Sequence, residues 1–423
     1  MKHRSLSTLF AICLTCFVGF STPSLHAFLA SVKNAGMGLT GVAHPQDAMT
    51  GAFNPANICD VGDRIDIGLT WDHFQGKGII SGNLSPAAPL INGSYEATRR
   101  KDFFSPDVGI VKGYCFSDWD LDFAVGLVVY NKDFAKTSYT KKLILAGTRP
   151  AGLEFIREAA SAIFAVQYCE RHSIGVSIDY YLQRFKAKGI ENFEALSSNP
   201  DSVTDRNYDY ARGCGVTVGW KSILFDWLTV GIAYSPKTHM QQFHKYSGFL
   251  AQGGRLDVQG RLLGGIALNL IPCATICFDV EHIYWNRVRS LHNPLMPNIF
   301  TSKLGNEDGA GFGFRPQNIY RVGMDYQVLD CLTLRAGYRF GKSFIRRSQT
   351  FANLLILETV EQYITVGATW EIQDCLELST FYAHGFQHTI HGRGSIPDFP
   401  FGGGEADLRL HREVFGISAG YNF

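Results

Sequence analysis

The stretch Ile319–Phe340, IYRVGMDYQVLDCLTLRAGYRF, contains two runs in which apolar and polar side chains alternate along the chain. In the second run, Leu334 and Tyr338 would share one face of an extended strand. Arg335 and Arg339 would share the opposite face. Alternation with a period of two residues predicts β-strands, and the short break between the runs predicts a tight antiparallel turn.

The same alternation recurs along the chain and predicts about fourteen strands. These strands cover residues 64–73, 103–115, 119–130, 159–169, 172–185, 207–221, 227–238, 254–270, 274–287, 317–328, 331–342, 359–372, 375–387 and 412–423. Their connections alternate between short turns and long loops, which is the pattern of outer-membrane β-barrels. A soluble β-sandwich would also show alternating strands, but it has no reason to segregate loop length so regularly.

The composition narrows the class of protein further. The chain has 423 residues, including 44 glycines, with 13% aromatic and only 18% charged residues. This mixture suits a β-rich protein that faces something other than water on one side. The formal net charge of +1 lacks the basic excess typical of nucleic-acid binding, so we expect no nucleic-acid partner.

The N-terminus has the features of a secretory signal peptide. Lys2 and Arg4 form a basic start, Leu9–Phe20 is an apolar run, and Ala27 supplies a small residue for cleavage. The apolar run is too short to span roughly 30 Å of hydrocarbon as a helix. We therefore expect residues 1–27 to be removed and the mature protein to reach the bacterial outer membrane.

Residues 28–63 precede the first strand and are irregular, rich in small residues and weakly charged. Apolar side chains such as Phe28, Met37 and Phe53 argue against a solvated tail. A plug folded into the barrel lumen fits this composition better. The predicted fold is thus all-β: a transmembrane antiparallel barrel over residues 64–423, with an N-terminal hatch, or plug, in its lumen.

Several short motifs resemble one known family. They are Met37-Gly38, Asp47-Ala48 and Asn54-Pro55-Ala56 in the expected hatch, residues 278–285, and the blocks Ile319–Tyr326 and Leu332–Arg339. These residues resemble the FadL family of outer-membrane transporters for long-chain fatty acids and related hydrophobic compounds. The resemblance implies a fourteen-stranded barrel, an apolar groove in the outer loops, a lumen pocket, and a lateral opening at a kinked third strand. Outer-membrane lipid would surround the protein.

The resemblance and the strand pattern together give candidate site residues. Asn54, Pro55 and Ala56 would form a hatch turn, although an ordinary Asn-Pro turn would look the same. Candidates for binding a carboxylate in the lumen are Arg261, Arg321, Arg335 and Arg339. The alternative for these arginines is a structural network with Asp325, Glu377 and Asp279.

Two further candidate features lie in the wall and the loops. Gly126 lies inside the third strand, where glycine can mark a kink, and is the candidate lateral gate. The candidate apolar groove consists of Phe243, Tyr246, Phe249 and Leu250. These loop side chains would equally serve to seal the loop against the barrel mouth.

The cysteines depart from the family pattern. Six of them are expected at the periplasmic rim: Cys59, Cys115, Cys169, Cys273, Cys331 and Cys375. An exported protein can oxidise such thiols, so we expect disulfides within the rim or to other envelope proteins. The alternative is that they are small buried hydrophobic residues. No CxxC pair or nearby histidine pair accompanies them, so no metal site or cofactor is expected.

Other function classes fit the sequence less well. His384, His388 and His391 lie near Ser379, but no Gly-x-Ser-x-Gly motif or acidic partner accompanies them, so we expect no enzyme. A general porin needs an open lumen, which the apolar plug opposes. A structural outer-membrane protein linked through its cysteines remains an alternative to a transporter.

Overall fold

The computed structural model describes residues 30–99, 101–116 and 120–423. The expected signal peptide therefore lies outside the described residues. The strands are β1 Arg64–Ser81, β2 Gly93–Glu96, β3 Asp102–Phe116, β4 Leu121–Ser138, β5 Gly152–Tyr168, β6 His172–Lys188, β7 Asp209–Phe225, β8 Leu228–Ser235, β9 Arg261–Ile271, β10 Ala274–Ile283, β11 Gln317–Leu329, β12 Leu332–Phe340, β13 Gln362–Gln373, β14 Leu376–Ile390 and β15 Glu405–Asn422.

The helices are short and lie in the N-terminal segment and the loops. The α-helical turns are Val32–Gly36, Ala88–Ile91, Ala251–Gly254, Arg289–His292 and Asn298–Thr301. The 3₁₀ turns are Ala48–Ala52, Pro55–Asp60, Glu191–Leu196, Pro200–Ser202, His244–Tyr246, Trp285–Arg287, Arg347–Gln349 and Ala352–Leu355. Within the described part of the chain, no helix combines the length and the apolar character needed to cross a membrane.

The strands form one closed antiparallel sheet. Neighbours in the chain pair with one another, and β15 pairs with β1 from Arg64↔Asn422 to Ser81↔Glu405. The short strand β2 pairs only with the outer end of β1, so fourteen strands make the wall. The predicted fold class, a closed barrel of about fourteen strands, is confirmed.

Several strands extend further on the long-loop side than predicted. β1 continues to Ser81 rather than ending at residue 73, and β15 begins at Glu405 rather than at residue 412. At this end of the barrel the apolar residues change face: Ala406, Leu408 and Leu410 of β15 are buried, whereas Phe415 and Ile417 further along the strand are exposed. The alternation continues but its phase reverses, so a pattern read from the lipid-facing part ends before the ladder does.

The outer face of the wall is apolar through its middle. On β6, Ile174 and Ile178 are 63% and 66% exposed, and Tyr180 lies above them. The outward positions then become basic at Arg184 and Lys186. The apolar run approaches the roughly 9–11 residues with which a tilted strand crosses a bilayer, so this face is built to contact lipid.

Residues 30–63, called the plug here, lie inside the barrel. The plug contains α1 (Val32–Gly36) and two 3₁₀ turns, and nearly all of its side chains are buried. Its irregular backbone is hydrogen-bonded by the wall. The Oδ2 atom of Asp279 accepts from Gly41 N at 2.8 Å and from Val42 N at 3.1 Å. Buried backbone groups that lack a regular ladder need such partners.

Glycines in the wall let the plug approach closely. A Cβ atom at Gly219 of β7 would lie 1.9 Å from Oδ1 of Asn54, and one at Gly175 of β6 would lie 2.4 Å from the carbonyl carbon of Pro55. Both strands therefore need a residue without a side chain at these positions. The turn Asn54-Pro55-Ala56 therefore packs against a part of the wall where Gly175 and Gly219 present no side chain.

A side chain at Gly219 should unseat the plug. We expect Gly219→Leu to displace Asn54 and to open the lumen to water, because the leucine would occupy the volume of the Asn54 amide. Single-channel conductance in planar bilayers measures this effect. Gly264→Ala is the control, because an added Cβ there meets nothing within 4 Å. Equal conductance of both variants and the wild type would contradict the role of this contact.

Candidate functional site

The Asn54 side chain holds the plug to the wall. Its Nδ2 donates to Val42 O at 2.9 Å within the plug and to Trp220 O at 3.0 Å on β7, while its Oδ1 accepts from Ala56 N at 3.1 Å. Asn54 therefore caps the 3₁₀ turn that starts at Pro55 and ties it to β7. This is more than an isolated Asn-Pro turn would do.

The carboxyl group of Asp47 adds a pH-sensitive contact within the plug. It accepts from Ser31 Oγ at 2.6 Å and from Met49 N at 3.0 Å. Burial, reinforced by the nearby carboxylate of Asp66, raises the pKa of Asp47 to about 6. Because the folded protein favours the protonated form, this contribution to stability is complete below the ordinary pKa of aspartate and is lost as pH rises through about 6.

A pocket of about 80 Å³ lies on the plug, beside residues 130–133 of β4. Its cationic lining residues are Lys132, Arg261, Arg321 and Arg339, and its acidic lining residues are Asp133 and Glu281. Ala52 and Phe53 of the plug form part of its lining. We call this cavity the lumen pocket, and its cationic groups outnumber its carboxylates.

The three arginines of the lumen pocket are held differently. Arg321 pairs with Glu281 through Nη2, while its buried Nε and Nη1 have no hydrogen-bond partner among the described residues. Arg261 donates from Nη2 to Ala52 O at 2.7 Å. The guanidinium of Arg339 lies 5.2 Å from the centre of the Tyr363 ring. Unused donors on Arg321 leave capacity to bind an anion.

The fourth predicted arginine serves the plug. Arg335 donates from Nε to Gln46 Oε1 at 2.8 Å and from Nη1 to Thr369 Oγ1 at 2.6 Å. It does not line the lumen pocket. The acidic groups of the alternative network also contact the plug, since Glu377 lies 2.5 Å from Lys33 and Asp325 lies 2.7 Å from His44. Arg339, which lines the lumen pocket, and Arg335, which binds the plug, thus occur on the same strand.

A second cavity, of about 60 Å³, lies among the outer loops and is almost wholly apolar. We call it the loop cavity. Of the predicted groove residues, Phe249 and Leu250 line it, together with Phe193, Phe312 and Phe351. Phe243 and Tyr246 lie elsewhere: they are fully buried against Phe185, with ring centroids 5.5 and 4.9 Å away.

A third, smaller cavity of about 20 Å³ lies between the other two. It shares Phe312 with the loop cavity and shares Asp133 and Gln259 with the lumen pocket. A polar cluster closes its inner end. Arg157 pairs with Asp133 and donates from Nη1 to Gln259 Oε1 at 3.0 Å, and Gln259 Nε2 donates to Asp133 Oδ1 at 3.1 Å. We call these three residues the latch.

The wall is interrupted beside the lumen pocket. The ladder between β3 and β4 runs from Phe116↔Leu121 to Val108↔Val129 and ends there. Beyond that point, β3 continues to pair with β1, and β4 continues to pair with β5 across a register shift between Asn131 and Asp133. The edges of β3 and β4 therefore separate at the level of the lumen pocket.

Two phenylalanines fill the space between these edges. Phe103 of β3 stacks on Phe134 of β4 with ring centroids 4.4 Å apart, and both side chains are buried. The Arg412 guanidinium, which is ion-paired with Asp72, lies 5.6 Å from the centre of the Phe134 ring. Side-chain contacts, the Phe103–Phe134 stack and the hydrogen bond from Asn131 to Ser105, thus take the place of the β3–β4 ladder at this level among the described residues.

The predicted position of the kink was wrong. Gly126 pairs regularly with Val111 and with Ile163, and the irregularity lies at Asn131–Asp133 in the same strand. Gly126 lets Ile110 O approach to 3.3 Å of where a Cβ would be, but it does not bend the strand. The shift follows from an extra residue at Lys132, which turns a long polar side chain toward the lumen pocket.

The remaining predicted groups lie apart from the cavities. The eight described cysteines are free thiols, so the expected disulfides within the rim are not formed in this structure. Of the six rim candidates, Cys115, Cys169, Cys273 and Cys331 are exposed, and Cys59 and Cys375 are partly exposed. Ser379 hydrogen-bonds to Thr369, whereas His384, His388 and His391 contact Glu413, Glu361 and Asp407 respectively.

Comparison with known proteins agrees with this architecture. No family model and no curated protein matches the sequence. Among solved structures, a FadL homologue of Pseudomonas aeruginosa is 15% identical, with a TM-score of 0.70 and coverage of 95% of this chain and 100% of that one. The chain has the FadL-type barrel fold.

Two further FadL-type barrels are similar. The toluene transporter TodX of P. putida is 14% identical, with a TM-score of 0.66 over 93% of this chain and 98% of that one. The toluene transporter TbuX of Ralstonia pickettii is 13% identical, with a TM-score of 0.62 over 94% and 99%. At such low identity the likeness concerns the fold, and the substrate must be argued from this chain's own residues.

The sequence pattern did not predict two features of the site: the latch, and the bulge that places Lys132 in the lining of the lumen pocket. Arg157, Asp133 and Gln259 come from β5, β4 and the segment before β9, and only the closed barrel brings them together. A weak signal for Lys132 exists, since it interrupts the alternation after Tyr130 in β4. A polar residue out of phase in an apolar strand is the usual sign of a bulge.

Proposed function

We propose that this chain is a channel of the bacterial outer membrane that takes up hydrophobic compounds passively, with long-chain fatty acids as its substrate class. The observation that carries the proposal is a row of three cavities: the loop cavity, the small third cavity and the lumen pocket. The lumen pocket lies beside the separated edges of β3 and β4. The apolar outer face supports residence in a bilayer. The plug fills the lumen, which favours a channel for lipophiles over a general porin.

The linings of the cavities favour an amphiphile with an anionic head. The loop cavity offers apolar side chains for an acyl chain. The lumen pocket offers Lys132, Arg321 and Arg339 for a carboxylate. Toluene, which TodX and TbuX transport, carries no charge that would repay the desolvation of these cations. A fatty acid uses both cavities, whereas a plain hydrocarbon uses only the first.

Sideways release follows from what blocks the other exits. Below the lumen pocket, the plug is hydrogen-bonded to the wall by residues such as Asp279 and Asn54. Beside the pocket, the Phe103–Phe134 stack and the hydrogen bond from Asn131 to Ser105 lie between the edges of β3 and β4. An acyl chain can replace that apolar contact and enter the bilayer without crossing water.

The proposed function makes a first prediction, which concerns uptake and its specificity. Bacteria that lack their own fatty-acid transporter should take up radiolabelled oleate when they express this chain, without leaking a small hydrophilic sugar. Asn54→Ala should lower that uptake, because Val42 O and Trp220 O lose their donor. Arg339→Gln should weaken oleate uptake by roughly 10- to 150-fold, since a charge-assisted hydrogen bond contributes roughly 1.5–3 kcal/mol.

A matched substrate and a matched variant accompany this test. Toluene uptake should be unaffected by Arg339→Gln, because toluene has no carboxylate. Lys186→Gln, which removes a cation from the outer wall rather than from the pocket, should leave oleate uptake unchanged. Uptake of toluene without oleate would identify a hydrocarbon channel, and failure to take up either compound from a correctly assembled barrel would refute the proposal.

The second prediction concerns the lateral path. Asn131 Nδ2 donates to Ser105 Oγ at 3.1 Å across the separated edges of β4 and β3. Cysteines at these two positions, in a background without the native cysteines, should form a disulfide that holds the edges together. Oleate uptake should then stop under oxidising conditions and return after reduction. Uptake that is indifferent to oxidation of this pair would place the exit elsewhere.

A second candidate function concerns the rim cysteines. Cys169 and Cys273 occupy short turns with φ of 50° and 66°, a conformation that usually favours glycine, and both are exposed. A side chain at such a backbone conformation has a steric cost, so cysteines at these positions support a role for the thiols themselves. We propose disulfide links to other envelope proteins: two thiols lose two protons and pass two electrons to a periplasmic disulfide oxidant. This role is compatible with transport.

The cysteine proposal predicts mixed disulfides in cell envelopes. Unheated, alkylated envelopes should show high-mass species in non-reducing electrophoresis that disappear on reduction, and Cys169→Ser with Cys273→Ser should diminish them. Cys277→Ser is the control, because that thiol is buried. Cys59 should react slowly with the alkylating agent, since burial raises its pKa to about 11. Identical migration with and without reductant would count against the links.

A further inference from the structure

A cluster of imidazole and carboxylate groups lies on the outer wall, away from the cavities. Glu413 of β15 stands opposite His384 of β14, and on its other side it stands opposite His73 of β1. His411 lies two positions along β15 and therefore on the same face as Glu413. The barrel register thus brings together groups that are far apart in the sequence.

The nitrogen and oxygen atoms of this cluster converge on one point. His384 Nδ1 and His411 Nε2 each lie 2.9 Å from Oε1 of Glu413, and the three ligand atoms all lie within 4.8 Å of one another. The two imidazole rings are tilted, with centroids 5.2 Å apart. All three side chains are 28–30% exposed, so an ion from solution can reach them.

This donor set matches the preference of zinc and similar divalent transition metals. Two imidazole nitrogens and one carboxylate oxygen make a His₂Glu set that leaves a fourth position for water. Zinc bonds of roughly 2.0–2.2 Å in a tetrahedron place ligand atoms about 3.3 Å apart. The two N···O separations of 2.9 Å need to widen by a few tenths of an ångström, and the two imidazole nitrogens, which lie within 4.8 Å of each other, need to take up the same spacing when the ion binds.

Neighbouring side chains on β14 and β1 hold the Glu413 carboxylate and its surroundings in place. The Tyr382 hydroxyl donates to Oε2 of Glu413, which leaves Oε1 directed at the histidines. His73 is held by Asp102 at 2.9 Å, and Trp71 Nε1 donates to the same carboxylate at 3.0 Å. The ligands stand on paired strands rather than on loops, and such support fixes the geometry of a metal site.

We propose that His384, His411 and Glu413 form a binding site for a divalent transition-metal ion on the outer wall, at the end of the apolar belt. The cluster lies just beyond Trp71 and Phe415, where the outward face changes from apolar to ionisable. The bound ion joins β14 to β15, next to the seam at which the barrel closes. This site is independent of the transport proposal and uses none of its residues.

Isothermal titration of the detergent-purified, full-length mature barrel with ZnCl₂ tests the site. The thiols are first blocked with iodoacetamide, because cysteines also bind zinc. We expect one ion per barrel and at least a tenfold loss of affinity in His384→Ala and in His411→Ala. His388→Ala is the matched control on the same strand, since His388 lies 3.8 Å from Glu361 and outside the cluster.

A second readout guards against variants that fail to assemble. Heat-modifiable migration in electrophoresis identifies folded barrels, and Glu413→Gln offers a conservative third variant. Electron paramagnetic resonance of bound Cu²⁺ should report two nitrogen ligands in the wild type and one in either histidine variant. Zinc affinity that is equal in the wild type and in folded His384→Ala and His411→Ala, or no binding by the wild type, would overturn the proposal.

Discussion

A fourteen-stranded barrel has to be filled, and here an irregular segment of the same chain fills it. A lumen of that width is too large for wall side chains alone, and a non-helical backbone at membrane depth must find all its hydrogen-bond partners in protein. The wall meets this demand with side chains such as Asp279 and Thr365, which bind plug backbone groups at 2.8 Å. It also presents glycines where the plug backbone comes closest.

This constraint explains why most of the polar lumen face is not a binding site. Arg335, Glu377 and Asp325 face inward, as alternation requires, but they contact the plug. Only residues above the plug, such as Arg321 and Arg339, are left to line a cavity. The height of a side chain along its strand therefore separates the arginines that hold the plug from those that line the lumen pocket, although their sequence pattern is the same.

The sequence is sufficient for the barrel and insufficient for its irregular parts. β11 and β12 can be predicted from the sequence because one face of each strand contacts lipid and the other faces a polar interior. This difference imposes a period of two residues on the hydrophobic pattern. The bulge at Lys132 leaves only a weak signal in the sequence, the interrupted alternation after Tyr130. Its position is set by where β4 leaves β3, which the alternation does not show. Phe243 and Phe249 illustrate the same limit in the loops: both are aromatic, but only Phe249 reaches the loop cavity.

The order of polar and apolar barriers suggests how such a wall discriminates. An amphiphile that moves inward first meets apolar loop residues, then the latch of Arg157, Asp133 and Gln259, whose hydrogen bonds a carboxylate can take over. It then meets the stack of Phe103 on Phe134, which an acyl chain can replace but water cannot. A hydrophilic solute cannot replace the apolar contact of the Phe103–Phe134 stack. A hydrocarbon cannot replace the hydrogen bonds of the latch. Under the proposed function, selectivity for an anionic lipid would arise from two successive barriers of opposite chemistry, without any single pocket that encloses the whole molecule.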